Sequence, residues 1–252
     1  MSIAHQLAEV KERIAQAARR ANRPPEEVAL MAVSKTHPAS AILEAVASGQ
    51  LLFGENRVQE WESKRGQVFN HSNALASTQT IQMHLIGHLQ SNKAARAVEL
   101  FDAVDSVDSL RLAERLNQSA ERLGKQLNVL VEVNVGGELS KAGLSPTSPE
   151  LFALFDAAPR LTHLRLRGLM TVPPFTDDPA GARPYFAQLR QLRDQLRQRT
   201  GLPLPQLSMG MSHDFEIAIQ EGSTCVRVGT AIFGARDYGT PPAAPPTPQD
   251  KG

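Results

Sequence analysis

The sequence predicts an α/β chain folded as a single (β/α)8 TIM-type barrel with an extra N-terminal helix. Three observations predict it. Eight short runs rich in Val, Ile and Leu alternate with helical stretches between residues 25 and 238. The runs are almost continuously apolar, as parallel strands buried on both faces should be. Polar and glycine residues gather where the runs end, the face on which such barrels build their sites. A doubly wound open sheet also fits the alternation and ranks second.

Taken in order, residues 3–20 place Ile3, Leu7, Val10, Ile14 and Ala17 at helical spacing with charges between them, an amphipathic helix. After Pro24-Pro25 the strand candidates begin: 28–34, 51–54, 83–87, 102–106, 128–134, 164–170, 206–210 and 225–229. Helices fill the gaps. One starts near Pro38 and stops at Gly49. Ser109 is a fitting N-cap for a helix over 110–123, which Gly124 stops. Ser148-Pro149-Glu150 opens another with proline at its first position. A long helix runs from about 180 to 199 and stops at Gly201, and a short one runs from Asp214 to Glu221 before Gly222. Gly66 to Gln82 is polar and reads as a loop. The barrel domain spans 1–239. The tail 240–252 is proline-rich and expected to be disordered.

Composition narrows the function. The chain has 252 residues, 27 Lys+Arg against 26 Asp+Glu and a net charge of +1, which gives no case for a nucleic-acid or membrane-surface partner. Its apolar stretches are strand-length, too short to span a membrane. The start of the sequence lacks the charged and apolar regions of a signal peptide. A single cysteine, Cys225, excludes an intrachain disulfide framework, and a cytoplasmic location is expected. Cys225 sits in a core strand and reads as an inert small hydrophobe. His84 and His88 lack HxH or HExxH spacing, so a metal site has no support. GxSxG and a strand-following GxGxxG are absent, and Asp177-Asp178 reads as a solvated loop.

The strand ends carry the chemistry. Lys35 closes the first run, Val28 to Ser34, and is followed by Thr36, His37 and Pro38. A lysine there can lower its pKa and form a Schiff base with a carbonyl, or it can snorkel to the strand exit. Strand 2 ends in Gly54-Glu55-Asn56. Strand 5 ends at Asn134, with Glu138 and Lys141 in the following loop. The loops after strands 7 and 8, Met211-Ser212 and Gly229-Thr230, fall where many barrels hold phosphate with backbone N–H groups and hydroxyls. A serine N-cap and a glycine turn fit the same residues. Arg227 interrupts an apolar strand and needs a partner, either a buried carboxylate or a ligand ring nitrogen.

Seven segments are similar to the pyridoxal phosphate homeostasis protein family, whose fold resembles the N-terminal barrel of alanine racemase. They are AVSKTHPASAI (32–42), FGENRVQE (53–60), HLIGHLQSNK (84–93), VEVNVGGELSKAG (131–143), RGLMTVPP (167–174), SMGMSHDFEIAI (208–219) and STCVRVGTAIFGARDY (223–238). The resemblance implies an internal aldimine between Lys35 and pyridoxal 5′-phosphate (PLP). It implies that Ser212, Gly229 and Thr230 hold the phosphate, that Arg227 faces the pyridine nitrogen and that Asn56 lies near the ring. Arg57 stands where the family often has tyrosine. Met83, His213 and Phe215 also depart from the commoner residues.

The same resemblance implies a carrier or regulator of vitamin B6 pools rather than an enzyme. PLP catalysis uses the ring as an electron sink. An arginine on the ring nitrogen keeps it unprotonated and weakens the sink. Alanine-type racemisation also needs a tyrosine base from a second domain, and the only tyrosines are Tyr185 and Tyr238. PLP and PLP-dependent apo-enzymes are the expected partners of a monomer, with neither nucleic acid nor membrane. The alternatives are a single-domain racemase using Lys35 as base and a phosphate-ligand barrel with no Schiff base.

Overall fold

The computed structural model describes residues 2–72, 80–138 and 140–234. Eight parallel strands close a barrel in chain order: β1 (Ala29–Val33), β2 (Leu52–Glu55), β3 (Gln82–Leu85), β4 (Ala103–Val107), β5 (Leu127–Glu132), β6 (Leu164–Met170), β7 (Gln206–Ser208) and β8 (Cys225–Val228). Closure joins β1 to β8 in the register Ala29 with Cys225 and Met31 with Arg227. All eight predicted strands are present, five of them one or two residues shorter than predicted, so Lys35 lies two residues past β1 in a turn.

The helices are α1 (Ile3–Arg20), α2 (Ala39–Ala47), α3 (Val58–Ser72), α4 (Ala94–Leu100), α5 (Leu110–Arg122), α6 (Pro149–Asp156), α7 (Arg183–Thr200), α8 (Phe215–Gln220) and α9 (Thr230–Phe233). The extra helix α1 is capped by Ser2, whose side chain accepts the His5 N–H, and it buries Leu7, Val10, Ile14, Ala17 and Ala18. It packs on α8, α9 and α2, and Arg13 pairs with Glu216 at 2.6 Å. Ser109 and Ser148 cap α5 and α6 as the sequence predicts.

One expectation is overturned. Residues 66–72, read as loop, complete α3. Val58, Trp61, Lys64 and Val68 form its buried stripe, and a lysine in that stripe breaks the apolar period that would reveal a helix. Residues 73–79 and the tail 240–252 lie outside the described residues.

The chain builds two interiors. The larger is the apolar layer between the outward strand faces and the helices, with Phe53, Trp61, Phe155, Phe186 and Phe215 fully buried in it. The smaller is the lumen. Met31, Ala103, Leu130 and Met170 are buried there apart from the main cluster. The charged residues Asp105, Glu132 and Arg227 are buried as well. A barrel that fills its lumen with branched aliphatics needs no such charges, so they mark the functional end.

Candidate functional site

Alternation along β8 turns Cys225 and Arg227 to the lumen while Val226 and Val228 join the outer core. Arg227 is only 4% exposed. Its Nη1 donates to the Ser208 carbonyl at 2.7 Å and to Ser208 Oγ at 2.8 Å, and its Nη2 donates to the Thr171 carbonyl at 2.7 Å. The expected choice between a carboxylate and a ligand thus gains a third answer: backbone carbonyls of β7 and of the β6 end fix the guanidinium. Burial pulls its pKa down, and the charges of Asp105, Glu132 and Asp214 oppose that pull. It stays cationic, because arginine does not lose its proton in proteins.

Two further charged groups of the lumen, Glu132 and Asp105, were missed in reading for motifs, and two histidines weighed only as metal ligands pair with aspartates nearby. Glu132 ends β5, and burial pushes its carboxyl up to about 7, against the attraction of Arg227. Asp105 on β4 lies 3.1 Å from His84 Nδ1 on β3. Burial pulls His84 down, and Asp105 more than reverses it. His88 Nδ1 lies 2.9 Å from Asp108. A charged residue inside an apolar strand was the signal that singled out Arg227, and it applies equally to Asp105 and Glu132.

The remaining site residues ring the mouth. Lys35 is half-buried in a turn closed by the His37 N–H donating to the Ser34 carbonyl at 3.1 Å. The His37 ring packs on Phe233 of α9, with centroids 5.0 Å apart, tying the Lys35 turn to the strand-8 exit. Asn56 follows β2. A Cβ on Gly87 would stand 2.3 Å from the Asn56 carbonyl, so only glycine lets these two loops approach. Ser212 lies between β7 and α8. The chain bends there at Gly210, at φ 94°, where a Cβ would meet the Ala218 side chain at 2.6 Å. Asp214 Oδ1 accepts the Met211 N–H at 2.6 Å and closes that loop.

Gly229 and Thr230 open α9, whose N-terminus has no side-chain cap. Among the described residues neither the Ser212 nor the Thr230 hydroxyl makes a hydrogen bond. Two hydroxyls and an uncapped helix start therefore face one end of the barrel with donors to spare, beside a buried cation. That set fits an anionic ligand. Desolvation pushes the Cys225 thiol up to about 12, away from the thiolate form. Among the described residues no three His, Cys, Asp or Glu side chains are placed to hold a metal ion, and no helix is long and apolar enough to cross a membrane.

The family model for the alanine racemase N-terminal domain matches residues 6–237. The pyridoxal phosphate homeostasis protein of Pseudomonas aeruginosa is 46% identical, over 95% of this chain and 98% of its own. That of Escherichia coli K12 is also 46% identical, over 94% of this chain and 97% of its own. Among solved structures, PipY of Synechococcus elongatus with PLP bound aligns at a TM-score of 0.78 and 41% identity, covering 92% of this chain and all of that one. Alanine racemase of Corynebacterium glutamicum aligns at 0.65 with 19% identity over 63% of its length, a likeness of fold alone.

Proposed function

The chain belongs to the pyridoxal phosphate homeostasis protein family, and from that membership we propose that it binds PLP at the mouth of its barrel and buffers or carries it in the cytoplasm as a monomer. One observation carries the reading: Lys35, Asn56, Ser212, Gly229 and Thr230 follow the carboxyl ends of barrel strands and Arg227 is buried in β8, in a chain 41% identical to a protein with PLP bound.

When bound, PLP supplies an aldehyde that an amine can capture and a ring that withdraws electrons. Lys35, carried at the exit of β1, would be the amine. Ser212 and Thr230 would donate their hydroxyls to phosphate oxygens, and Gly229 would let the backbone approach. Arg227, its guanidinium fixed by three hydrogen bonds, would present a permanent positive charge toward the ring nitrogen and disfavour a proton there. Asn56 would border the ring.

The same geometry argues against turnover. The fixed cation weakens electron withdrawal. Of the two tyrosines, Tyr185 packs on the outer core from α7 and Tyr238 lies outside the described residues. General acid–base assistance is worth about 10²–10⁴-fold, and among the described residues no tyrosine is placed at the mouth to give it. Loaded protein incubated with each L-amino acid in deuterated water should show no inversion at the α-carbon by NMR, and should restore activity to PLP-dependent apo-enzymes. Inversion at ~1 s⁻¹, an ordinary enzyme rate, would make it a racemase instead.

The phosphate contacts give a separate test. Ser212→Ala and Thr230→Val each remove one charge-assisted hydrogen bond, so PLP affinity should fall by roughly 10- to 100-fold per site. Pyridoxal, without phosphate, should bind variant and parent alike. Equal PLP affinity in both variants would place the phosphate elsewhere.

A further inference from the structure

Behind the Lys35 turn, on the outer side of β1 and β2, lies a buried ion cluster that takes no part in the proposed ligand site. Glu55, the last residue of β2, is fully buried and faces away from the lumen. Lys64 of α3 donates to Glu55 Oε1 at 2.8 Å, to Glu60 Oε1 at 2.8 Å and to the Ser34 carbonyl at 3.1 Å. Ser34 Oγ donates to the same Glu55 oxygen at 2.7 Å. Glu60 Oε1 accepts the Thr36 N–H at 2.5 Å, and Thr36 Oγ1 donates to the Lys35 carbonyl at 2.6 Å. The peptide groups on both sides of Lys35 are therefore held from α3.

The turn needs holding. Thr36 sits at φ 67°, a left-handed conformation that turns of this kind reserve for glycine or asparagine and that a β-branched residue adopts only under strain. Such strain persists where the surroundings over-determine it, and it clusters at functional positions. The cluster itself is a poor stabilising device. One ammonium is shared by two carboxylates, the buried Glu55 and the partly exposed Glu60, and among the described residues Glu55 Oε2 is buried without any partner. Well-packed apolar residues commonly replace such clusters with no loss of stability. A costly cluster laid against the strained neighbours of one lysine calls for a reason at that lysine.

We propose that Lys64, with Glu55 and Glu60, is a positioning assembly that fixes the backbone of Lys35 so that its amine meets the ligand aldehyde in one geometry. The inference rests on Lys35 being the PLP-bonding residue. Because α3 starts two residues after Asn56, the assembly also ties the lysine turn to the ring-side loop of β2. Its loss should loosen the covalent bond without touching the phosphate contacts.

The test uses the full chain loaded with PLP and follows loss of the ~420 nm band, characteristic of PLP bonded to an amine, when hydroxylamine competes for the aldehyde. The band is also titrated with pH. Lys64→Met and Glu60→Ala should each speed trapping by about tenfold, the weight of one charged hydrogen bond. Each should also shift the pH midpoint of the band. Glu60→Gln, whose amide oxygen can still accept the Thr36 N–H, should return most of the parental rate, which a general loss of stability would not allow. Glu60 is partly exposed and its variants should fold even where Lys64→Met does not. Parental trapping rates and midpoints in the folded Lys64 or Glu60 variants would overturn the assignment while leaving PLP binding intact. A parent protein with no band would instead defeat the binding reading and this one with it.

Discussion

Lys35→Ala is expected to abolish the ~420 nm band of the loaded protein and all covalent retention of PLP after borohydride reduction. The effect should be large, because two other lysines at this end of the barrel are committed elsewhere. Lys64 points into the ion cluster behind β2. Lys141 is bound to Glu138 at 2.7 Å and to the Pro173 carbonyl at 3.1 Å. Ser212, Thr230 and Arg227 remain in the variant, so residual non-covalent PLP should still be detectable by equilibrium dialysis. In the parent, peptide mapping after reduction should find the cofactor on the peptide holding Lys35. A label on any other lysine would remove the centre of the proposed site.

The sequence made the barrel legible because parallel strands buried on both faces leave unbroken apolar runs. It made the positions of Lys35, Asn56, Ser212 and Thr230 legible because each follows such a run. What it hid has two physical causes. One is charge placed where an apolar pattern is sought. Lys64 in the buried stripe of α3 disguised the end of that helix, and Asp105 and Glu132 passed unnoticed inside β4 and β5. The other is contact between residues far apart in sequence. Nothing local in the sequence joins Thr36 to Glu60 or Arg227 to the Thr171 carbonyl, because barrel closure creates those pairs.

Glu132 supplies the second large effect, and its sign is decisive. Its ordinary pKa of 4.5 is pushed up to about 7 in the folded chain, chiefly by burial. The groups facing it are Arg227 from β8, Asp108 from the loop after β4 and His88 from the loop after β3. The folded state keeps this proton to higher pH than the unfolded chain does. The stability it contributes is therefore fully present below pH 4.5 and is lost as pH rises through about 7. The loss amounts to about 3 kcal/mol at 1.36 kcal/mol per unit. Glu132→Gln keeps the shape and cannot ionise. In PLP-free protein it should match the parent near pH 4 and exceed it by about 3 kcal/mol at pH 8, read from urea midpoints. The opposite arrangement, an ionised Glu132 serving as the true counter-ion of Arg227, would make the same substitution costly by about 3–5 kcal/mol at pH 8, because it would strand a buried cation. The two outcomes differ in sign. A variant less stable than the parent at pH 8 would mean that ionised Glu132 is held as the counter-ion of Arg227 rather than ionised at a cost beside a cation fixed by backbone carbonyls.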